Sequence, residues 1–432
     1  MRTNEPTRRW WVLLLALALA VSACGGGDDT ADTADTADTT DPAGPADATD
    51  ADADIEADPE VEGDDAAAEG LDGEPIVIGA VHDLTGPTSD VGVPYAEGMR
   101  AYVDWRNTNG GVDGRPLQLN GQDYLYDVAV AEQLYSQFVS QGAVAFMGWG
   151  TGDTEALRVR VNTDEIPFMS ASLSEQLVDP AETPYNFVVG LTYSQQMRVA
   201  LQHIADTAGG PAEVVVFHHD SPFGESPLDD GREFIETNGL DIDYRTIAMP
   251  GGATDYTGEL AQAGGPDYVI IQNVVTPGSL MVRDIGAQGL DATVVCLNFC
   301  ADELLVELAG DDAEGVLGVM PFATPASAAD DLGDVVEHLE SQGRTLDDID
   351  LHWTQGWYTM AVMVAGIEQV VTSGEEVTGP AVRDALEALE PFETPVTIPI
   401  DFSADSHAGM SSGQVFEVQG GEWVPLSDVI TP

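Results

Sequence analysis

From Ile76 onward the chain alternates between two hydrophobic rhythms. The short runs at 76–81 (IVIGAV), 143–147 (AVAFM), 166–170 (IPFMS), 213–218 (EVVVFH), 267–272 (DYVIIQ) and 292–297 (ATVVCL) are apolar without clean alternation. That is the pattern of strands buried on both faces of a parallel sheet. Between them, apolar residues recur at helical spacing. Over 194–206, Met197, Ala200, Leu201 and Ile204 share one face, which predicts a helix with Ser194 placed as N-cap. Strands alternating with helices form βαβ units with right-handed crossovers, so the fold class is α/β, doubly wound. One such sheet uses about half of this length, and the pattern restarts near Pro211 after the punctuation VDPAETPYN at 178–186. Two lobes are therefore expected. The final third predicts a long apolar helix over 351–371, a second over 379–390, and hairpin-like β segments to the end.

The first 75 residues have neither rhythm. Arg2, Arg8 and Arg9 precede the apolar run WWVLLLALALAV, which ends in VSAC at Cys24 and is followed by three glycines. A basic segment, a short apolar run and small residues before a cleavage point read as a secretory signal, and the run is short for a membrane span. The tetrad looks like a lipobox, in which Cys24 becomes the lipid-modified first residue. Residues 25–74 hold nineteen acidic residues, no basic residue and no aromatic, including the repeat TADTADTADT. Such a segment cannot bury enough apolar surface to offset its ordering entropy. It reads as an acidic, self-repelling linker that holds a domain away from the membrane.

Charge then removes whole classes of partner. The formal net charge is −62, and all fourteen basic residues are Arg. Nothing here attracts nucleic acid or an anionic surface. The absence of Lys excludes a P-loop, and no G-x-G-x-x-G occurs, so the glycine-rich turn GWGTGD at 148–153 loses phosphate as its default guest. No G-x-S-x-G nucleophile elbow is expected, and the triplet His218-His219-Asp220 lacks an accompanying metal or catalytic cluster. Neither cofactor, metal nor catalysis is expected. Beyond Cys24, only Cys296 and Cys300 occur. They are a disulfide candidate if the chain turns between them, and buried thiols otherwise.

Several separate segments carry a resemblance to one family. IGAVHDLTGPTSDVGVPYAEGMRAYVDWRNTNGGVDGRPLQL (78–119), with Gly98 placed to let the first helix pack, is similar to the opening of type I periplasmic binding proteins of the branched-chain amino acid and amide group. HHDSPFGES (218–226), WTQGWYTMAVM (353–363) and DFSADSHAGMSSGQVFEVQGGEW (401–423) match in the same order. The resemblance implies a signal peptide over 1–23, a linker over 24–74, one lobe from 75–190 plus 323–393 and another from 191–322 plus 394–432, with crossings near 190, 322 and 394. It implies a small-molecule solute held in the interlobe cleft and handed to the permease subunits of an ABC importer, the chain being lipid-anchored outside the cell. A sensor of the same fold, passing a signal to a membrane partner, is the alternative.

The resemblance also implies site residues. Gly152 falls at the principal ligand contact, with Thr151, Asp153 and Thr154 beside it at the start of a helix, where free N–H groups favour an anion or polar group. Ser172 and Ser174 form the second contact element, and Trp149 offers a stacking surface. Amino-acid binders place acids opposite, to meet the ammonium. Here those positions are Tyr193 and Asn298, with Phe223 and Val274 where tyrosines are frequent and Val91 where an aromatic can cover the ligand. A one-residue slip would bring in Asp302 or Glu303 instead. An uncharged wall disfavours a buried ammonium.

Overall fold

The computed structural model describes residues 70–432. The signal segment, the lipidation candidate Cys24 and the acidic linker up to residue 69 lie outside the described residues. Among those described, no helix is long and apolar enough to cross a membrane.

Two parallel-dominated sheets organise the chain. The first is built from β1 (Ile76–His82), β2 (Leu117–Asp123), β3 (Ala145–Gly148), β4 (Phe168–Ser170) and β5 (Asn186–Phe187), in the order β2-β1-β3-β4-β5 and parallel throughout. Helices α1 (Ser89–Thr108), α2 (Val128–Ser140) and α3 (Thr151–Asp164) are its crossovers. The second sheet contains β6 (Ala212–His219), β7 (Ile242–Met249), β8 (Tyr268–Gln272), β9 (Thr293–Leu297) and β10 (Leu317–Val319), all parallel. The hairpin β11 (Val415–Gln419) and β12 (Glu422–Pro425) joins it antiparallel, giving the order β12-β11-β10-β9-β8-β6-β7. Its helices are α4 (Tyr193–Thr207), α5 (Pro222–Glu225), α6 (Leu228–Asn238), α7 (Thr257–Ala263), α8 (Val275–Gln288) and α9 (Glu303–Ala309). After β10 come α10 (Gly333–Ser341), α11 (Leu351–Ser373) and α12 (Gly379–Glu387), and α11 packs on α1 of the first lobe. The chain then runs back past β5, where Val188 bridges Ala408, before β11 enters the second sheet.

Local chemistry explains the close places. Gly98 on α1 lies so near α11 that a Cβ there would sit 1.9 Å from the Trp353 carbonyl oxygen. Gly356 on α11 returns the contact against the Tyr95 carbonyl at 2.0 Å. Two glycines facing each other thus let two helix backbones touch. The Ser194 cap expected for α4 belongs instead to Thr192: its hydroxyl accepts from the Gln195 N–H while the Gln195 side chain accepts from the Thr192 N–H, a reciprocal capping box. Thr192→Ala is expected to cost ~1 kcal/mol of stability, measured by denaturant unfolding, while Ser194→Ala should cost less than half of that.

Candidate functional site

The carboxyl ends of parallel strands, where ligands gather in doubly wound sheets, face each other across the two lobes. Thr88, Tyr126, Trp149, Gly150, Thr151 and Ala171 from the first lobe meet Tyr193, Phe223, Val274 and Phe299 around a narrow gap between the lobes. Trp149, Thr151, Tyr193, Phe223 and Val274, all singled out from sequence, are brought together here. Tyr126 and Phe299 were not singled out, although each follows a sheet strand as the expected residues do.

The other candidates surround this cavity without lining it. Gly152 sits one residue along α3, and a Cβ there would lie 3.6 Å from Pro222 of the facing lobe. Ser172 stands behind Thr151, their hydroxyls 2.8 Å apart. The Ser174 hydroxyl donates to Glu155 and caps a short 3-10 turn. Asn298 is buried, its backbone N–H donating to the Gln196 side chain at 3.0 Å. Val91 and Thr154 are buried outside the lining, and the Thr154 hydroxyl donates to the Gly150 carbonyl. Asp302 and Glu303, the fallback acids, are engaged elsewhere. Asp302 caps α9 at Leu305, and Glu303 accepts the N–H of Leu351 at the start of α11.

The glycine-rich turn already holds a carboxyl group of the chain itself. Asp153 is buried beneath it, with Oδ1 accepting from the Tyr124 hydroxyl at 2.9 Å. A Cβ on Gly150 would collide with that oxygen at 2.3 Å. Glycine is thus needed at 150 because the chain's own carboxylate fills the space. Burial pushes the Asp153 carboxyl up to about 7, with Tyr124 and the amides of 149, 150 and 153 partly opposing.

Contacts across the lobes show how the cleft is held. Asp90 on α1 accepts from the Thr276 N–H at 2.9 Å, a first-lobe carboxylate at the start of second-lobe helix α8. A wider opening lies beside this contact, with Asp90, His219, Tyr256 and Arg283 on its walls. None of the nine expected ligand contacts lines it. Behind the inner cavity, Phe299 stacks on His352 of α11 with ring centroids 5.4 Å apart. His352 Nε2 in turn lies 3.4 Å from Asp302, both fully buried. Burial alone would lower this imidazolium, but Asp302, with Asp350 and Gln355, overcomes it and pushes His352 up to about 9. A group raised in the folded state contributes stability that is complete below its unfolded value of ~6.5 and lost as pH rises through about 9. Thermal melts of the native protein should fall over that window, and His352→Gln should flatten the fall. An unchanged pH profile in His352→Gln would reject the assignment.

The residual enzyme features do not assemble. His218 Nδ1 pairs with the His219 carbonyl and His219 Nδ1 with the Ser221 hydroxyl, while Asp220 is exposed. The pentad GMSSG at 409–413 spells G-x-S-x-G, yet it is irregular chain tied at Gly409 to Val188 and at Gly413 to Ile430, not a strand-to-helix turn. Among the described residues no group of three or more His, Cys, Asp or Glu is placed to hold a metal. The 3-10 turn Asn298–Cys300 brings Cys296 and Cys300 into a disulfide, their Cα atoms 5.2 Å apart.

Comparison with known proteins agrees with this geometry. The family model described as "Periplasmic binding protein" matches residues 75–422. A branched-chain amino acid ABC transporter structure from Thermus thermophilus with bound valine is 26% identical. It covers 83% of this chain and 97% of that one, with a TM-score of 0.78. An ABC transporter substrate-binding protein from Aeropyrum pernix is 28% identical over the same shares, with a TM-score of 0.75. A fatty acid ABC transporter substrate-binding protein from Thermomonospora curvata shares the fold at 17% identity, covering 83% and 93% of the two chains, with a TM-score of 0.73. No curated protein sequence matches the chain. The chain belongs to the periplasmic binding protein family, with the type I two-lobe fold.

Proposed function

We propose that this periplasmic binding protein captures a small solute in the inner cavity and delivers it to the permease subunits of an ABC importer, tethered outside the cell by lipid at Cys24. The observation that carries the reading is the cavity itself: its wall is drawn from the ends of strands in both lobes, so a solute filling it touches both at once. A ligand with contacts to both lobes binds the closed arrangement better than an open one and shifts the population toward closure. Thr151, at the first turn of α3, is the polar anchor. Trp149, Tyr193, Phe223 and Val274 are the enclosing wall, with Ser172 supporting Thr151 from behind. The Thermus structure with bound valine supports a solute of amino-acid size.

A thermal-shift screen of the purified protein against amino acids, short amides and small carboxylates tests the reading. A true solute at a hundred times its dissociation constant should stabilise the fold by roughly 2.7 kcal/mol. Absence of a shift from every solute tried at millimolar concentration would count against solute capture.

A further inference from the structure

Of the ten residues lining the inner cavity, five are aromatic: Tyr126, Trp149, Tyr193, Phe223 and Phe299. Their rings touch one another, in one pair across the lobes. Trp149 and Phe299 have centroids 6.0 Å apart, Tyr193 and Phe223 5.3 Å, and Phe223 and Phe299 5.9 Å. The lining contains no charged side chain.

The hydrogen-bonding groups in the wall are largely spent. The Trp149 indole N–H donates to the Thr88 hydroxyl at 2.8 Å, and that hydroxyl donates to Asp83 at 2.6 Å. The Thr151 hydroxyl is engaged with Ser172, and the Gly150 N–H donates to Tyr124. A primary ammonium brings three N–H donors and finds few free acceptors here, which makes its burial costly.

Just behind the wall lie two carboxyl groups, while the His352 imidazole, paired with Asp302, backs Phe299. Asp83 and Asp153 are both buried, Asp83 beneath Thr88 and Asp153 beneath Gly150. A solute carboxylate brought to the glycine turn would meet Asp153. An aromatic lining backed by Asp83 favours a cation, provided that the cation asks for no hydrogen bonds.

We propose that the cavity selects small solutes bearing a methylated ammonium group, held against the faces of Trp149, Tyr193, Phe223 and Phe299. The proposal rests on the reading that a solute occupies this cavity. A methylated nitrogen spreads its charge over an apolar surface, so it gains the cation–π attraction and leaves no N–H unpaired.

Calorimetric titration of the purified protein with choline, beside leucine, valine and the uncharged choline isostere 3,3-dimethylbutan-1-ol, tests it. Choline should bind at least about tenfold tighter than the isostere. Phe299→Leu and Phe223→Leu, which keep apolar bulk, should each remove about tenfold of that affinity, with unliganded melting checked to confirm folding. Equal affinity for choline and its isostere, or tighter binding of leucine or valine, would overturn the methylated-ammonium assignment and leave solute capture standing. Binding of no solute in either set would overturn both.

Discussion

Gly98→Val is expected to lower stability by on the order of 3 kcal/mol and the melting temperature by roughly 5–10 °C. The contact that a side chain would make is not with another side chain, which a rotamer change relieves. It is with the backbone of α11, at 1.9 Å from the Trp353 carbonyl and 3.0 Å from the Trp357 nitrogen. Only a shift of the whole helix removes the overlap, and α11 is held by a nearly all-buried surface that includes Trp353, Trp357 and Met360. Gly356→Val should act alike because Gly356 meets the Tyr95 backbone from the other side. Gly251, with open space at its Cβ position, is the control, and Gly251→Ala should leave the melt within about 1 °C. A Gly98→Val protein that melts with the native one would show that the two helices do not cross as described.

Gly152→Trp carries the larger consequence for binding. Gly152 projects from the first turn of α3 toward Pro222 and Val128, with 3.6–3.8 Å to a Cβ. Alanine fits that space, whereas an indole cannot enter it without moving the lobes apart. Gly152→Ala is therefore expected to keep the solute-induced thermal shift. Gly152→Trp should abolish it, an affinity loss of a hundredfold or about 2.7 kcal/mol, while the unliganded melt changes little. The glycine acts at the seam between the lobes, and its bulk limit is a limit on closure. A full solute shift in Gly152→Trp would remove Gly152 from the seam.

How much of this was readable beforehand follows burial. The six strands picked out by apolar runs are interior strands, and both their faces are covered. The edge strands β2 and β7 escaped that pattern because their sequences, LQLNGQD and IDYRTIAM, are only partly buried and mix polar with apolar residues. The Thr192 cap was legible as Thr followed three residues later by Gln, a closer match than the lone Ser194. In the cavity, the expected residues next to β3 and at the start of α4 arrived in place, because strand ends fix where such loops sit. Phe299 was hidden by its neighbour. The expectation placed a contact at Asn298, but the 3-10 turn after β9 buries Asn298 and presents Phe299 to the cavity. Asp153 was read as a neighbour of the ligand, and only the backbone geometry shows that it sits under Gly150 and occupies the turn itself. Long-range pairs such as Asp90 with Thr276 and His352 with Asp302 leave no local pattern, since their partners are 186 and 50 residues apart.

The measurement that tests the central claim most directly is amide hydrogen exchange of the purified protein with and without the solute that gives the largest thermal shift. A solute held between the lobes should slow exchange together at 149–154 in the first lobe and at 222–225, 274–278 and 298–300 in the second, all of which border the cavity or its seam. Protection confined to one lobe, or appearing around the wider opening near Tyr256 and Arg283 instead, would contradict capture in the inner cavity.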